Sequence, residues 1–164
     1  VSICKLHLTS DSVLYDVGSG TGSIAVEAAS LSDDMEVYAI EQKENAVQLI
    51  TQNKEKHGLE NIHVIKAKAP DGMDTLPVPT HAFIGGSGGN LKEIIEALKA
   101  KNPHIRIVIN AISMETICEI KEILSAYDVK NEDIVQLQVS RSKQIGHYHL
   151  MQSENPVWIC SFEF

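Results

Sequence analysis

The chain has 164 residues, of which 43% are hydrophobic and 22% charged, as in ordinary globular proteins and unlike disordered ones. Its formal net charge of −8 argues against a general nucleic-acid binder, because an acidic surface repels phosphate backbones. No apolar run approaches the ~20 residues of a membrane span. We therefore expect one domain over residues 1–164, with neither nucleic acid nor membrane as a partner.

The three cysteines, Cys4, Cys118 and Cys160, form no Cys-x-x-Cys pair. Scattered cysteines of this kind predict reduced thiols in the core of a cytoplasmic protein, and neither a disulfide framework nor a metal site.

Apolar β-branched runs alternate with runs of helical period, a pattern typical of βαβ units and a parallel sheet. Residues 1–8 are predicted helical, and their abrupt start indicates that an N-terminal segment is missing. Further helices are predicted at 22–31, at 44–57, and from Asn90 and Ser113 onward. Glu93 stands where a capping-box partner of Asn90 belongs. Strands are predicted at 13–17, 36–41, 62–67, 81–84 and 105–109.

Two further strands, at 134–139 and 157–162, follow without a helix between them. This arrangement predicts an antiparallel hairpin that closes one edge of the sheet. The predicted fold is a three-layer, Rossmann-like α/β sandwich with a mostly parallel sheet and a C-terminal antiparallel hairpin.

The most informative motif is D-V-G-S-G-T-G at 16–22, between the first strand and a helix. Its glycines permit a tight turn, and the helix N-terminus suits a carboxylate. The spacing is G-x-G-x-G, whereas dinucleotide enzymes show G-x-G-x-x-G. It favours S-adenosylmethionine, with Asp16 holding the cationic amine; a turn without a ligand is the alternative. The predicted cofactor contacts here are Asp16, Gly18, Ser19, Gly20, Thr21 and Gly22.

Two more cofactor contacts are predicted beyond the turn. Glu41 closes the second strand, where a carboxylate accepts ribose hydroxyls. A solvated strand-end acid is the alternative. Ala69 follows the third strand, where its backbone would frame the adenine, or where it is an ordinary loop residue.

The fourth strand ends in the sequence G-G-S-G-G at 85–89. In this architecture the segment faces the transferred methyl group. Amine-methylating enzymes usually place Asn or Asp, two prolines and an aromatic residue there, and this chain has none of them. We expect Gly85, Gly86 and Ser87 to form a floor for a broad, flat substrate; a flexible connection is the alternative.

A family resemblance is carried by the runs DVGSGTGSIAVEAA, VYAIE, AKAPDGM, FIGGSGG, RIVINAISMET and SRSK with the later NPVW. Over nearly its whole length the chain resembles the precorrin-6B or cobalt-precorrin-6B C(15)-methyltransferases (decarboxylating) of cobalamin biosynthesis. Some of these form the C-terminal domain of a bifunctional precorrin-6Y C5,15-methyltransferase. The G-G-S-G-G loop with A-P-D and N-A-I is more particular to this family than the glycine turn.

This resemblance implies a class I methyltransferase fold that binds S-adenosylmethionine through residues 18–22, Glu41 and Ala69, in a homo-oligomer that is often a tetramer. A threonine that members carry upstream of an E-V-R stretch has no counterpart in this chain, and Ala67 replaces a common glycine. The implied reaction methylates C-15 of a precorrin or cobalt-precorrin and removes carbon dioxide from the ring C acetate.

Such substrates carry many carboxylates, so an acidic protein needs a local basic patch to bind them. Arg141 and Lys143 are the candidates, since Arg binds a carboxylate through two parallel hydrogen bonds. An exposed polar loop at 141–149 is the alternative. Asn110 is a further candidate for substrate binding, with a purely structural hydrogen bond as its alternative. No catalytic residue is predicted.

Three other functions stay open from the sequence. The first is methylation of another small molecule, a protein or an RNA; acidic charge counts against RNA. The second is a non-catalytic domain that binds S-adenosylmethionine. The third is a nicotinamide dehydrogenase, which the glycine spacing disfavours.

Overall fold

The computed structural model describes all residues from 1 to 164. The five α-helices are Ser2–Leu6 (α1), Ser23–Ala29 (α2), Glu44–His57 (α3), Leu91–Lys101 (α4) and Met114–Ala126 (α5). The nine β-strands are Val13–Val17 (β1), Glu36–Glu41 (β2), Ile62–Lys66 (β3), His81–Ile84 (β4), Arg106–Ala111 (β5), Lys130–Leu137 (β6), Ser140–Ile145 (β7), Tyr148–Ser153 (β8) and Val157–Glu163 (β9).

Seven strands form one sheet in the order β3-β2-β1-β4-β5-β9-β6. Strands β1 to β5 are parallel, and β9 runs antiparallel between β5 and β6. The chain leaves β1 toward β2 and later returns to β4 on the other side, so the strand order reverses between β1 and β4. Ligands bind at such a switch point, outside the carboxyl ends of the strands. The predicted α/β fold is confirmed.

Apolar side chains cover both faces of the sheet, which explains the continuous apolar runs of its central strands. In β5, Ile107 and Ile109 join the core under α4 and α5, whereas Val108 points into the opposite core with α1, α2 and α3. Leu98 of α4 and Ile50 of α3 are fully buried, one on each side. Truncating either to Ala is expected to cost ~2–5 kcal/mol. These two layers of helices bury both faces of the sheet whose carboxyl edge forms the switch point.

The cysteine prediction is only partly right. All three thiols are free, and Cys160 is buried in β9, where burial raises its pKa to about 12. Cys4 and Cys118 are exposed on α1 and α5, so the prediction of a core position is wrong for them. Cysteine spacing carries no information about which face of a short helix points to solvent.

None of the helices combines the length and the hydropathy that a membrane crossing requires.

The antiparallel C-terminal pair is confirmed as β6 and β9, and the connection between them holds a ribbon that the sequence did not predict. Strands β7 and β8 pair only with each other, and every one of their residues is exposed. We call this two-stranded element the ribbon. Its apolar residues do not alternate regularly with polar ones along both strands, so the segment lacks the pattern from which strands are predicted.

Side-chain caps were predicted at the N-termini of α4 and α5, and only the cap of α5 is present. Ser113 caps α5 as predicted, since its Oγ accepts a hydrogen bond from the Thr116 N–H. Asn90 makes no side-chain cap on α4, so the capping-box prediction is wrong there. Its Nδ2 donates instead to the carbonyl oxygen of Ala69 at 3.1 Å. This bond ties the start of α4 to the loop after β3.

Candidate functional site

The glycine turn between β1 and α2 presses against the loop that follows β4. Gly18 has a φ of +68°, and a Cβ there would lie 2.3 Å from the carbonyl oxygen of Gly86. No side chain fits such a gap, and the left-handed backbone adds strain for any other residue. Gly18 therefore allows the two glycine-rich loops, which are far apart in sequence, to touch.

The last glycine of the turn has a packing role. Gly22 precedes α2 with a φ of +78°, and a Cβ on it would lie 3.2 Å from carbons of the buried Ile50 side chain. It lets α2 approach α3, and it does not line the cavity described below. Its predicted contact with the cofactor stays a prediction.

Asp16 lies beneath the turn and is fully enclosed. Its Oδ2 accepts hydrogen bonds from Ser19 Oγ at 2.6 Å and from the Ala25 N–H at 3.1 Å. Burial raises the pKa of Asp16 to about 6; the bonds from Ser19 and Ala25 oppose that rise, and the nearby Glu41 carboxylate adds to it. Its Oδ1 is the one buried side-chain polar atom of the protein without a partner.

An unpartnered buried carboxylate oxygen is costly, and a cationic donor would remove that cost. The amine of S-adenosylmethionine is such a donor, so this residue fits the predicted cofactor. Asp16 and Ser19 are buried and do not themselves line the open cavity, so their predicted contacts with the cofactor stay a prediction.

Glu41 holds the turn from the tip of β2. Its Oε2 accepts from the Gly20 N–H at 3.0 Å, and its Oε1 accepts from the Lys43 N–H at 2.9 Å. The side chain is nearly buried, yet it lines the cavity. Each carboxylate oxygen keeps a free lone pair, so the pair of oxygens can also accept two vicinal hydroxyls. This geometry fits a ribose.

The first cavity opens at the switch point, with a volume of about 520 Å³, the size of a small-molecule site. It brings together five of the predicted cofactor residues with others from the β2–α3 and β3 loops. The predicted members are Gly18, Gly20, Thr21, Glu41 and Ala69. Members that the sequence did not predict include Gln42, Lys43, Asn45, Leu49 and Lys68.

A second cavity of about 250 Å³ lies between the ends of β4 and β5. It contains the predicted Gly85, Gly86, Ser87 and Asn110, with an apolar wall from Leu91 and Ile109 among others. None of its lining residues is charged. Residues 86–88 line both cavities, so the two spaces meet across a backbone that carries only one side chain. We call residues 85–89 the glycine floor.

Arg141 and Lys143 are not brought to either cavity within one chain. Both lie on the exposed ribbon, and Arg141 Nε is 3.8 Å from a carboxylate oxygen of the equally exposed Glu154. Their role in substrate binding stays a prediction.

The two lysines that line the first cavity were not predicted from the sequence. Lys43 and Lys68 make no ion pair with any carboxylate. The Lys68 Cε lies 3.5 Å from the position that a Cβ on Gly88 would occupy, so this side chain reaches from the loop after β3 to the glycine floor. Its position directly before Ala69 was the available signal, but a search for clustered basic residues overlooks a single lysine.

The arrangement separates two classes of cofactor. The unpartnered oxygen of Asp16 suits a cationic N–H donor. S-adenosylmethionine carries an ammonium group in its amino acid part, whereas the positively charged ring nitrogen of NAD has no N–H. Together with the sheet order and the glycine turn, this makes the protein a Rossmann-like, S-adenosylmethionine-dependent methyltransferase. A solved S-adenosylmethionine-dependent O-methyltransferase from Thermotoga maritima has the same fold, with a TM-score of 0.78 over 98% of this chain and 62% of that one, at 14% identity.

A narrower family follows from the closer comparisons. The model of the precorrin methyltransferase domain matches residues 1–163, and the chain belongs to that family. A probable cobalt-precorrin-6B C(15)-methyltransferase (decarboxylating) of Pyrobaculum calidifontis is 35% identical over 97% of this chain and 82% of its own. The cobalt-precorrin-6B C(15)-methyltransferase of Salmonella typhimurium is 33% identical over the same shares. A precorrin-6Y C5,15-methyltransferase from Geobacter metallireducens superposes with a TM-score of 0.90 at 33% identity, covering 98% and 83% of the two chains. The resemblance seen in the sequence is confirmed.

Proposed function

We propose that this protein methylates C-15 of a precorrin or cobalt-precorrin and removes carbon dioxide from the ring C acetate, as the names of its relatives describe for them. The observation that carries the proposal is the meeting of the two cavities at the glycine floor. A cofactor on one side and a flat macrocycle on the other would touch across bare backbone.

S-adenosylmethionine, when bound, supplies a methyl group that its sulfonium has already activated. The work left to the protein is to align the reactants and to exclude water. Asp16 and Glu41 would anchor the two polar ends of the cofactor, and the N–H groups of the turn would receive its carboxylate. No strong base is needed for the methyl transfer, which agrees with the uncharged lining of the second cavity.

The floor lets a planar substrate come close. Gly86 has an ordinary φ, and a Cβ on it would meet nothing within 4 Å. The space above it is therefore open, and a side chain there would occupy room that the substrate needs. Open space of this kind favours a broad substrate over a thin group such as a lysine side chain or an exocyclic amine.

The carboxylates of the substrate need cations beyond the uncharged cavity. Lys43 and Lys68 line the first cavity without ion-pair partners, and Lys68 lies against the glycine floor. Arg141 with Lys143 offers a second group on the ribbon. We propose that both groups bind substrate carboxylates, the ribbon group from a neighbouring copy of the chain.

A homo-oligomer, with a tetramer as the family expectation, is the second part of this proposal. An isolated two-stranded ribbon is only marginally stable in water. Cross-strand pairing puts Lys143 opposite Leu150 and Ile145 opposite Tyr148, so one face of the ribbon is both apolar and basic. Ile145, Tyr148 and Leu150 are 53%, 75% and 54% exposed. A second copy of the chain is the partner we propose for this face.

We also propose a cytoplasmic location, which the free thiols support.

The direct test incubates the protein with S-adenosylmethionine and precorrin-6B, or its cobalt form, and analyses the product by mass spectrometry. We expect a product that has gained one methyl group and lost one carboxyl group, with one of the two substrates preferred. The Gly86→Val variant should keep its fold and lose most of this activity. No turnover of either tetrapyrrole by a folded protein that binds S-adenosylhomocysteine would refute the proposal.

A further inference from the structure

A buried hydrogen bond joins the first helix to the rim of the second cavity. Ser2 of α1 is 7% exposed, and its Oγ donates to Asn110 Oδ1 at 2.9 Å. The two residues are 108 positions apart in the chain. Asn110 lies near the carboxyl end of β5, beside the glycine floor. The hydroxyl of Ser2 has no other partner, so the bond serves to fix this one amide.

In the structure the nitrogen end of the Asn110 amide is free. Because Oδ1 accepts from Ser2, the Nδ2 donor group lies on the opposite side of the amide plane. Nδ2 donates to no atom of the protein. The only buried side-chain polar atom without a partner is Asp16 Oδ1, so Nδ2 is not buried. It is therefore a solvent-accessible donor on a residue that lines the second cavity.

The polar side chains of that cavity are Ser87, Asn110 and Thr116, and all are neutral. A substrate carboxylate in this space would meet N–H and O–H donors and no ammonium or guanidinium group. A tight ion pair would stabilise a carboxylate that must be lost and would raise the barrier. A neutral amide orients the same carboxylate with a smaller ground-state stabilisation.

We propose that Asn110 binds the departing carboxylate of the substrate through Nδ2, and that Ser2 is the positioning residue that keeps this donor turned toward the cavity. The inference rests on the proposed function. In the step concerned, the bond between the carboxylate and its methylene carbon breaks and its electron pair enters the conjugated macrocycle. Carbon dioxide leaves, and a proton from water ends on that methylene carbon, which becomes a methyl group.

The test compares carbon dioxide released with methyl groups transferred, each measured with labelled substrate. Ser2→Ala should lower this ratio by about 5- to 10-fold, the effect of one hydrogen bond, and leave affinity for S-adenosylhomocysteine unchanged. Ser2→Thr should restore the ratio, because it restores the hydroxyl. Asn110→Asp replaces the donor by a repelling carboxylate and should lower the ratio further.

A double variant distinguishes a positioning role of Ser2 from a general effect of Ser2 on the stability of the fold. Adding Ser2→Ala to Asn110→Ala should lower the ratio no further than Asn110→Ala alone. The matched control is Ser125→Ala, which removes an exposed hydroxyl from α5 and should leave the ratio unchanged.

An unchanged ratio in Ser2→Ala, or an equal loss in Ser2→Thr, would overturn the positioning role. An unchanged ratio in Asn110→Asp would overturn the carboxylate site, while wild-type methylation would keep the proposed function intact. Absence of methylation in the wild type is the distinct outcome that defeats both.

Discussion

The glycine turn and the ribbon differ in whether their side chains find partners within the same chain. At the turn, the groups around Asp16 and Glu41 find partners in the same chain, and one oxygen atom is left for a ligand. The ribbon is fully exposed, and its apolar and basic side chains have almost no partners in the same chain. The turn is thus completed by contacts within one chain, whereas the ribbon presents a surface on which we propose that substrate and a second copy of the chain bind.

The largest effect is expected where the two glycine loops touch. Gly18→Ala places a Cβ against the Gly86 carbonyl and should destabilise the fold by ~3 kcal/mol, with loss of S-adenosylhomocysteine binding. Gly20→Ala is the matched control: its φ is also positive, but a Cβ there meets nothing within 4 Å. It should cost only ~1 kcal/mol. Urea unfolding and calorimetry measure both, and equal losses would contradict the close-contact argument.

The buried carboxylate predicts a pH dependence of stability. The pKa of Asp16 is raised by burial to about 6 in the fold, from an ordinary value of 3.8. The folded protein therefore holds this proton more tightly than the unfolded chain. Its free energy of unfolding should fall by about 3 kcal/mol, to order of magnitude, as the pH rises from about 4 to about 6. Asp16→Asn should remove this fall, which urea titrations at several pH values would reveal.

The Asp16 carboxyl group predicts the opposite pH trend for the affinity of the ligand. Above pH 6 the ionised Asp16 attracts the cofactor amine, so affinity for S-adenosylhomocysteine should weaken about tenfold between pH 7 and pH 5. Binding near pH 6 should release protons, which calorimetry in buffers of different ionisation enthalpy detects. An affinity independent of pH in the wild type would separate Asp16 from the amine.

The ribbon predicts a change on the substrate side alone. Arg141→Ala combined with Lys143→Ala should weaken tetrapyrrole binding about tenfold, since two charge-assisted contacts are lost. Affinity for S-adenosylhomocysteine should not change. Fluorescence titration with the tetrapyrrole checks this, and unchanged affinity would remove both residues from the site.

The smallest effect belongs to a single exposed lysine. Lys68→Met should raise the KM for the tetrapyrrole about two- to fivefold, and the difference from wild type should vanish in high salt. Lys56→Met, on the exposed side of α3, changes the net charge equally and should leave KM unaltered. Equal effects of the two substitutions would mean that overall charge, and not Lys68, is responsible.

The sequence predicted most of what the buried parts of the protein require. Continuous apolar runs such as 107–109 specify strands covered on both faces. In the glycine turn, Gly18 is required by the approach of Gly86 and Gly22 by the packing of Ile50. The ribbon was not predicted, because its strands pack against no core and their apolar residues do not alternate regularly. The bond from Ser2 to Asn110 was equally invisible, since nothing local connects residues so distant in the chain. Asn90 was misread because its amide bonds to Ala69 and not to its own helix.

Calorimetric titration of the protein with S-adenosylhomocysteine and, separately, with NAD tests the cofactor site most directly. If Asp16 binds the amine and Glu41 the ribose, as proposed, S-adenosylhomocysteine should bind once per chain, and NAD should produce no heat of binding. Tight binding of NAD without binding of S-adenosylhomocysteine would contradict the account from its first step.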